Sequence, residues 1–309
     1  MPSNAPPPTR TMPLRALFGF LVLLAGAEVH VGSQPETTEL EVAVSPRAVP
    51  PGGVVRVHVV CRCGGTPPRV VTALGNPAMS LASGHTEASP QRWQGLVGID
   101  LDTRPGIYNL EFYDTERGAT SRTVALHVVP KSFATRRLQV APNFVEPSAP
   151  DVARIVKEAA ALDALFKTMT PRHWNGAFMA PVATGPTSNF GTRSVFNGEL
   201  RSPHAGVDFR AATGTPIVAP AAGRVALAGD LFFTGQTVVI DHGSGLLSLM
   251  AHLSSIAVSP DTLVSRGARI GRVGATGRVT GPHLHWSVRL NGARVDPLSL
   301  LSATRESGV

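Results

Sequence analysis

The sequence predicts a mainly β protein in two parts: an immunoglobulin-like β-sandwich, then a linking helix and a strongly curved antiparallel sheet. Three observations carry that prediction. The chain holds 31 glycines and 27 prolines with only 6% aromatic residues, a balance that favours short strands and turns over helix bundles. Short apolar runs recur along most of its length, separated by turn-forming clusters. One stretch, residues 151–169, repeats its apolar side chains at three and four. At 309 residues, 43% apolar and 16% charged, the chain has room for two ordinary domains with buried cores and reads as globular.

Residues 14–27 contain Arg15 near their start, an apolar run short for a membrane span, and a closing Ala25-Gly26-Ala27. This predicts a secretory signal peptide over residues 1–27, cut before Glu28, with an uncleaved anchor as the competing reading. Met12 competes with Met1 as the initiator, because the proline-rich opening is unlike a signal peptide's basic start. No later segment approaches spanning length. The mature protein is therefore expected to be soluble outside the cytoplasm, with no membrane span; the expected place is the periplasm or cell envelope and the expected state a monomer. The formal charge of +7 falls to +5 without residues 1–27, which leaves 26 basic against 21 acidic side chains. That excess is spread along the chain and largely arginine. No lysine-rich run or aromatic-interleaved basic patch points to nucleic acid.

Residues 28–36 are polar and read as a loose lead-in. A sandwich over residues 39–130 is predicted from runs at 40–44, 54–60, 69–73, 92–99, 106–112 and 121–129, with turn clusters such as Pro50-Pro51-Gly52-Gly53 between them. Trp93 and Tyr108 are expected core aromatics. Cys61 and Cys63 are the chain's two cysteines, and a zinc knuckle needs wider pairs and more ligands. On a regular strand their Cα atoms would lie about 6.6 Å apart, so a disulfide requires a local bend and both states stay open. His58, His85 and His127 have no partners at ligand spacing and are expected on the surface or half-buried. Without a chemical constellation, this part is expected to position or shield the rest and to be dispensable for whatever chemistry the chain performs.

Residues 131–177 read as a linker. The stretch 130–150, where the sandwich passes into it, carries Arg136, Arg137, Pro142 and Pro147 and is expected to be irregular. The helix over 151–169 follows, with Asp151 as N-cap or first-turn acid, and is expected to act as a strut. His173 and Trp174 are expected packing residues. A second domain over residues 178–300 is predicted from strands at 215–219, 223–228, 237–240, 246–253, 270–273 and 283–290, with glycine at most connections where the sheet must bend. No dinucleotide-binding or P-loop pattern and no internal repeat is present.

The chemistry sits in this second domain. Ser202-Pro203-His204-Ala205-Gly206-Val207-Asp208 comes first, then Met250-Ala251-His252-Leu253, then Gly281-Pro282-His283-Leu284-His285-Trp286. His283 and His285 stand two residues apart in a β-prone run, so both imidazoles face one side. Imidazole and carboxylate suit a zinc ion that does chemistry, with three protein ligands and one water in an open tetrahedral site. Each fragment alone is weak evidence; the glycine and proline framing, the order, and the middle histidine give weight. Asn197 and His242 are better explained as turn residues, and Glu111 and Glu199, the carboxylates weighed as a substitute base, lie in no metal-ligand frame.

Over residues 178–297 these motifs resemble the lysostaphin/LytM-type family of zinc peptidoglycan endopeptidases. The resemblance implies one zinc per chain, held by His204, Asp208 and His285, with His283 as general base and His252 near the developing oxyanion. It also implies the curved sheet of that peptidase fold and peptidoglycan peptides as substrate. Members of the family cut either glycine bridges or the cross-link between D-alanine and a diamino acid. The N-terminal β part, the linking helix, residues 196–209 and an export signal without a wall-targeting repeat resemble the second type, so that bond is the expected one. Met250 departs from the family's usual tyrosine two residues before the middle histidine, which leaves a local packing or substrate contact in question. A non-catalytic regulator of another wall hydrolase is the alternative, disfavoured because all five positions are filled. A structural or carbohydrate-binding envelope protein with an incidental zinc is disfavoured because the site has too few ligands to be closed.

Overall fold

A computed structural model describes residues 40–63, 65–81, 90–114, 120–138, 147–187, 189–196, 198–200 and 202–305. The expected signal peptide and lead-in, His85, Pro142, Asn197 and the side chain of Glu199 lie outside that set. The described part is mostly β, with two helices.

Alternation builds the N-terminal sheets. In β3 (Val54–Cys61), Val55, Val57, Val59 and Cys61 are buried while His58 is exposed. β3 pairs antiparallel with β1 (Glu41–Ser45) and β6 (Gln91–Gly98), and β5 (Ser80–Leu81) completes a four-stranded sheet on β6. A second sheet runs β2 (Ala48–Val49), β8 (Thr120–Val128), β7 (Gly106–Tyr113), β4 (Arg69–Val71). Leu110, Phe112, Val124 and Leu126 of the second sheet share one buried cluster with Val57, Val59 and Trp93 of the first. Tyr108 packs against that cluster and donates its hydroxyl to the Arg104 carbonyl at 2.8 Å. Beyond the end of β3 the chain bends, which brings the Cα atoms of Cys61 and Cys63 to 5.4 Å, and the two form a disulfide.

The stretch after residue 130 corrects the expectation of an irregular linker. Thr135–Leu138 forms β9, which pairs in parallel with β10 (Arg193–Phe196), and β11 (Glu199–Leu200) lies on the far side of β10. Four residues with two arginines carry no alternation, so this strand exists only through its partner. Helix α1 runs Ala149–Leu165, shorter at its end than the apolar pattern suggests. Its N-cap is Ser148, with Pro150 and Asp151 in the first turn, so Asp151 is the first-turn acid and not the cap. The helix is no free strut. Leu162, Leu165 and Phe166 pack on Val239, Leu247, Leu249 and Ala251 of the C-terminal sheet. Arg154 reaches Asp230 at 2.9 Å, and Glu158 accepts the Phe232 amide at 2.8 Å.

That sheet has nine strands. β12 (Gly206–Phe209), β19 (Leu284–Leu290), β16 (Leu246–Ile256), β15 (Gly235–Gly243), β14 (Gly223–Leu231) and β17 (Leu263–Val264) lie in this spatial order, with β13 (Pro216–Val218), β18 (Arg269–Val273) and β20 (Ala293–Val295) alongside. β15 and β16 are buried on both faces, by the main core on one and by the end of α1 on the other, so they read as continuous apolar runs. Register shifts at Val225/Leu227, Gln236/Val238, Asp241/Gly243 and Leu253/Ser255 are the bulges that curve it.

The N-terminal sheets are built into this core. Val54 and Leu101 belong to its buried cluster. The Val54 amide donates to Ser299 Oγ at 2.8 Å and the Asp296 amide to the Gly52 carbonyl at 2.7 Å. Arg294 holds Asp100 through two side-chain bonds of 2.6 and 3.0 Å and also reaches Asp102 at 2.6 Å. A closing helix absent from the sequence reading, α2 (Pro297–Thr304), is capped by Asp296 and carries that Ser299.

Candidate metal centre

Strand register brings the motif residues together. In the antiparallel pair β12 and β19, Asp208 stands directly opposite His285. On the other side of β19, Ala251 of β16 is His285's partner, which sets His252 beside the pair. His252 adopts φ 66° inside a strand, a left-handed conformation that costs about 1–3 kcal/mol and here coincides with the Leu253/Ser255 bulge. The bulge re-aims the imidazole out of the plain alternation. His204 is tied in by backbone bonds from its amide to the Thr192 carbonyl (2.9 Å) and from the Gly191 amide to its own carbonyl (2.8 Å). Gly206 has to be glycine for space. A Cβ there would lie 2.5 Å from the Trp286 carbonyl oxygen and 2.6 Å from His285 Cε1.

Three atoms converge. His204 Nε2 lies 3.0 Å from Asp208 Oδ1 and 2.9 Å from His285 Nδ1, and His285 Nδ1 lies 3.0 Å from Asp208 Oδ1. A tetrahedral zinc about 2.0–2.1 Å from each would separate its ligands by about 3.3 Å, so the spacing and the donor set fit such an ion. Among the described residues this trio is the one His/Cys/Asp/Glu group able to hold a metal. Burial alone would raise the Asp208 carboxyl. Hydrogen bonds from His204 and His285 outweigh it and hold that carboxyl well below the usual carboxylate range. Burial pushes the His285 imidazole down, towards the neutral form a ligand needs.

Two further imidazoles line the same cavity of about 180 Å³. His283 Nε2 is 3.8 Å from Asp208 Oδ1, and the His252 and His283 ring centroids are 4.8 Å apart. His283 Nδ1–H donates to the Gly281 carbonyl at 2.8 Å, and His252 Nδ1–H to the Thr276 carbonyl at 2.9 Å. A carbonyl can only accept, so each neutral ring presents a bare Nε2. Burial, then the neighbouring His285 and His283, lowers the His252 pKa to about 3.

All five motif residues are therefore in one place. Met250 is fully buried opposite Trp286, so the departure from the usual tyrosine falls on a core position. His242 is structural, with Nδ1 on the Ala222 carbonyl, Nε2 on Ser248 and its ring against Phe178. Trp174 packs against Phe178 beneath the Arg172 guanidinium, and Glu111 accepts a hydrogen bond from Tyr113. Sequence reasoning missed Arg136, Ser194, Arg210 and Arg278, which line the cavities at the centre. Arg136 and Ser194 carry no local signal, because only the β9–β10 pairing brings them there.

Residues 202–297 match peptidase family M23. Among curated relatives, the DD-carboxypeptidase/endopeptidase Mpg of Neisseria meningitidis is 43% identical over 103 residues, 33% of this chain and 24% of that protein. The peptidoglycan DD-endopeptidase ShyA of Vibrio cholerae is 41% identical over 113 residues, 36% of this chain and 26% of that protein. The match thus spans about a quarter of the length of these relatives. A crystal structure of a Pseudomonas aeruginosa protein assigned to peptidase M23 covers 82% of this chain and 95% of its own, at 37% identity and a TM-score of 0.64. With that extent of shared sequence and fold added to the matched motif region, the chain belongs to peptidase family M23.

Proposed function

We propose that this protein is an exported, monomeric zinc metalloendopeptidase that hydrolyses D-alanyl–diamino acid cross-links of peptidoglycan. The observation that carries the reading is the convergence of His204, Asp208 and His285 within 3.0 Å, beside two imidazoles with bare Nε2 atoms. The similarity to Mpg, a DD-carboxypeptidase/endopeptidase, and to ShyA, a peptidoglycan DD-endopeptidase, supports the substrate class. Export rests on the residue 14–27 pattern, and among the described residues no helix is long and apolar enough to cross a membrane.

His204, Asp208 and His285 would hold the zinc, which when bound makes water acidic and polarises the scissile carbonyl. His283 is the general base: its Nε2 takes a proton from the attacking water and passes it to the leaving amine. His252 stays neutral at working pH because burial depresses its pKa to about 3. Fixed on Thr276, it faces the centre as an acceptor. Its direct contribution is to orient the water, and it can donate to an oxyanion only after gaining a proton.

The test is chromatography of cross-linked muropeptides after incubation with zinc-loaded full chain, beside a pentaglycine peptide, with and without chelator. Dimers should become monomers, pentaglycine should survive, and chelation should stop the reaction. Intact dimers with zinc bound would end this reading.

A further inference from the structure

Two arginines stand at the centre without a structural task. A cavity of about 420 Å³ adjoins the metal trio, lined by Asp208, His283, Arg136 and Arg210. Arg210 follows β12 two residues after Asp208, and both arginine side chains are exposed. Among the described residues neither guanidinium has a hydrogen bond or ion pair to another side chain. The one carboxylate on this wall, Asp208, is already engaged by His204 and His285. Two cations thus face a cavity whose negative charge is committed elsewhere.

Arg136 is held there with care. It sits in β9 opposite Ser194 of β10, and the Arg193 amide donates to the Ala134 carbonyl at 2.8 Å. One residue earlier, the Thr192 carbonyl accepts the His204 amide at 2.9 Å. A continuous series of backbone bonds therefore fixes β9 to the same frame as a metal ligand.

The cavity's place sets its task. It is lined by His283, the group that passes a proton to the leaving amine, and not by His252; Arg210 lines this cavity alone, and Arg136 stands where it meets the neighbouring one that holds His252. We propose that Arg136 and Arg210 form a carboxylate-reading subsite on the leaving-amine side, selecting substrates with a carboxylate on the carbon attached to the scissile nitrogen. A guanidinium matches a carboxylate bidentately, and such charge-assisted bonds are the strong ones. This deepens the hydrolase reading and rests on it. In a D-alanyl–diamino acid cross-link, the amine-bearing carbon of the diamino acid carries a carboxylate. A lysine in the same place carries none, nor does an internal glycine. The subsite thus names the chemical feature by which one cross-link is told from another.

The experiment compares full-chain wild type, Arg136→Gln, Arg210→Gln and the double variant on two cross-linked dimers. The dimers differ only in whether that carboxylate is free or amidated. In wild type, amidation should lower kcat/KM by roughly 10- to 100-fold. The double variant should fall by a similar factor on the free carboxylate and treat both dimers alike. Equal rates on both dimers for wild type, or an equal loss on both for the variant, would overturn the subsite. A second arm measures by calorimetry the binding of a diamino-acid tripeptide and its amidated form to the zinc-loaded proteins. If wild type cuts neither dimer, the hydrolase reading falls, and this arm decides the subsite alone. Preference for the free acid in wild type, lost in the double variant, sustains it; no preference ends it.

Discussion

The two β regions use burial in opposite ways. Among the described residues, the N-terminal region's one buried polar side chain is Asp114, just past the end of β7, whereas the C-terminal sheet buries Asp208, Asp241, His242 and His252. The first region gains its stability from apolar packing and one disulfide. The second keeps ionisable groups out of water and satisfies each with a named partner. Asp241 accepts from Gly243 and Thr170, His242 bonds Ala222 and Ser248, and His252 bonds Thr276. A sheet covered on both faces and pinned by bulges holds these groups in fixed orientations. The contrast says where chemistry can be built: in the region that tolerates strain, such as His252 at φ 66°.

The sharpest way to break the comparison is to remove one imidazole at a time from the second region. His283→Ala should lower hydrolysis by roughly 10²- to 10⁴-fold while leaving about one zinc per chain, because the three proposed ligands, His204, Asp208 and His285, remain. His204→Ala and Asp208→Ala should lose metal and activity together. Elemental analysis beside the muropeptide assay separates the two classes, and a metal-free His283→Ala protein would exchange the roles of base and ligand.

Cutting the regions apart should have the next largest effect. The sequence suggests that a chain starting at Phe178 would still cleave, but Val54, Leu101 and Asp100 lie in the seam and β9 brings Arg136. Such a chain should lose about 3–5 kcal/mol of stability, from the exposed apolar surface and unpaired Arg294. Urea unfolding against the full chain measures it, and an unchanged midpoint would make the N-terminal sheets a mere neighbour.

A pair of glycines sharpens the contrast at single-atom scale. Gly206→Ala forces a methyl to within 2.5 Å of the Trp286 carbonyl oxygen, whereas at Gly106 the nearest atom is 3.9 Å away. The first should cost about 1–3 kcal/mol and weaken zinc binding roughly tenfold; the second should stay within about 0.5 kcal/mol. Equal effects would mean that β12 and β19 adjust freely and that the centre is not preorganised.

How much of this was legible follows the same division. Alternation in residues 54–60 and 106–112 announced the N-terminal strands, because one face of each sheet is wet. That the five motif residues would meet in one place was legible from motif framing, of which Gly206 is part: the Trp286 carbonyl and the His285 ring leave no room for a side chain there. β9 was not legible: its residues, Thr-Arg-Arg-Leu, have no pattern, and a distant strand supplies every reason for their shape. The strand β12 that carries Asp208 was also missed, being four residues long and buried throughout. Helix α1 showed its period but not its task, because packing on the sheet's outer face depends on where β15 and β16 lie.

The smallest expected effect lies at the seam and is read by acid. Burial alone would raise the Asp100 carboxyl, but hydrogen bonds from Arg294 and the Asp102 amide bring its pKa from 3.8 down to about 2. A carboxyl depressed in the folded state stabilises fully above its unfolded pKa, and the contribution fades as pH falls from about 4 to about 2. Asp100 is half-buried, so after solvent screening the contribution is about 1 kcal/mol. Asp100→Asn keeps the shape and an acceptor but cannot titrate. Its stability should therefore fall less than wild type's between pH 4 and pH 2, while the two proteins share every other carboxylate. Urea midpoints for both across that window make the difference visible. Parallel curves would leave the seam to its apolar packing and to the backbone bonds at Val54 and Asp296, with Arg294 contributing position but no measurable free energy.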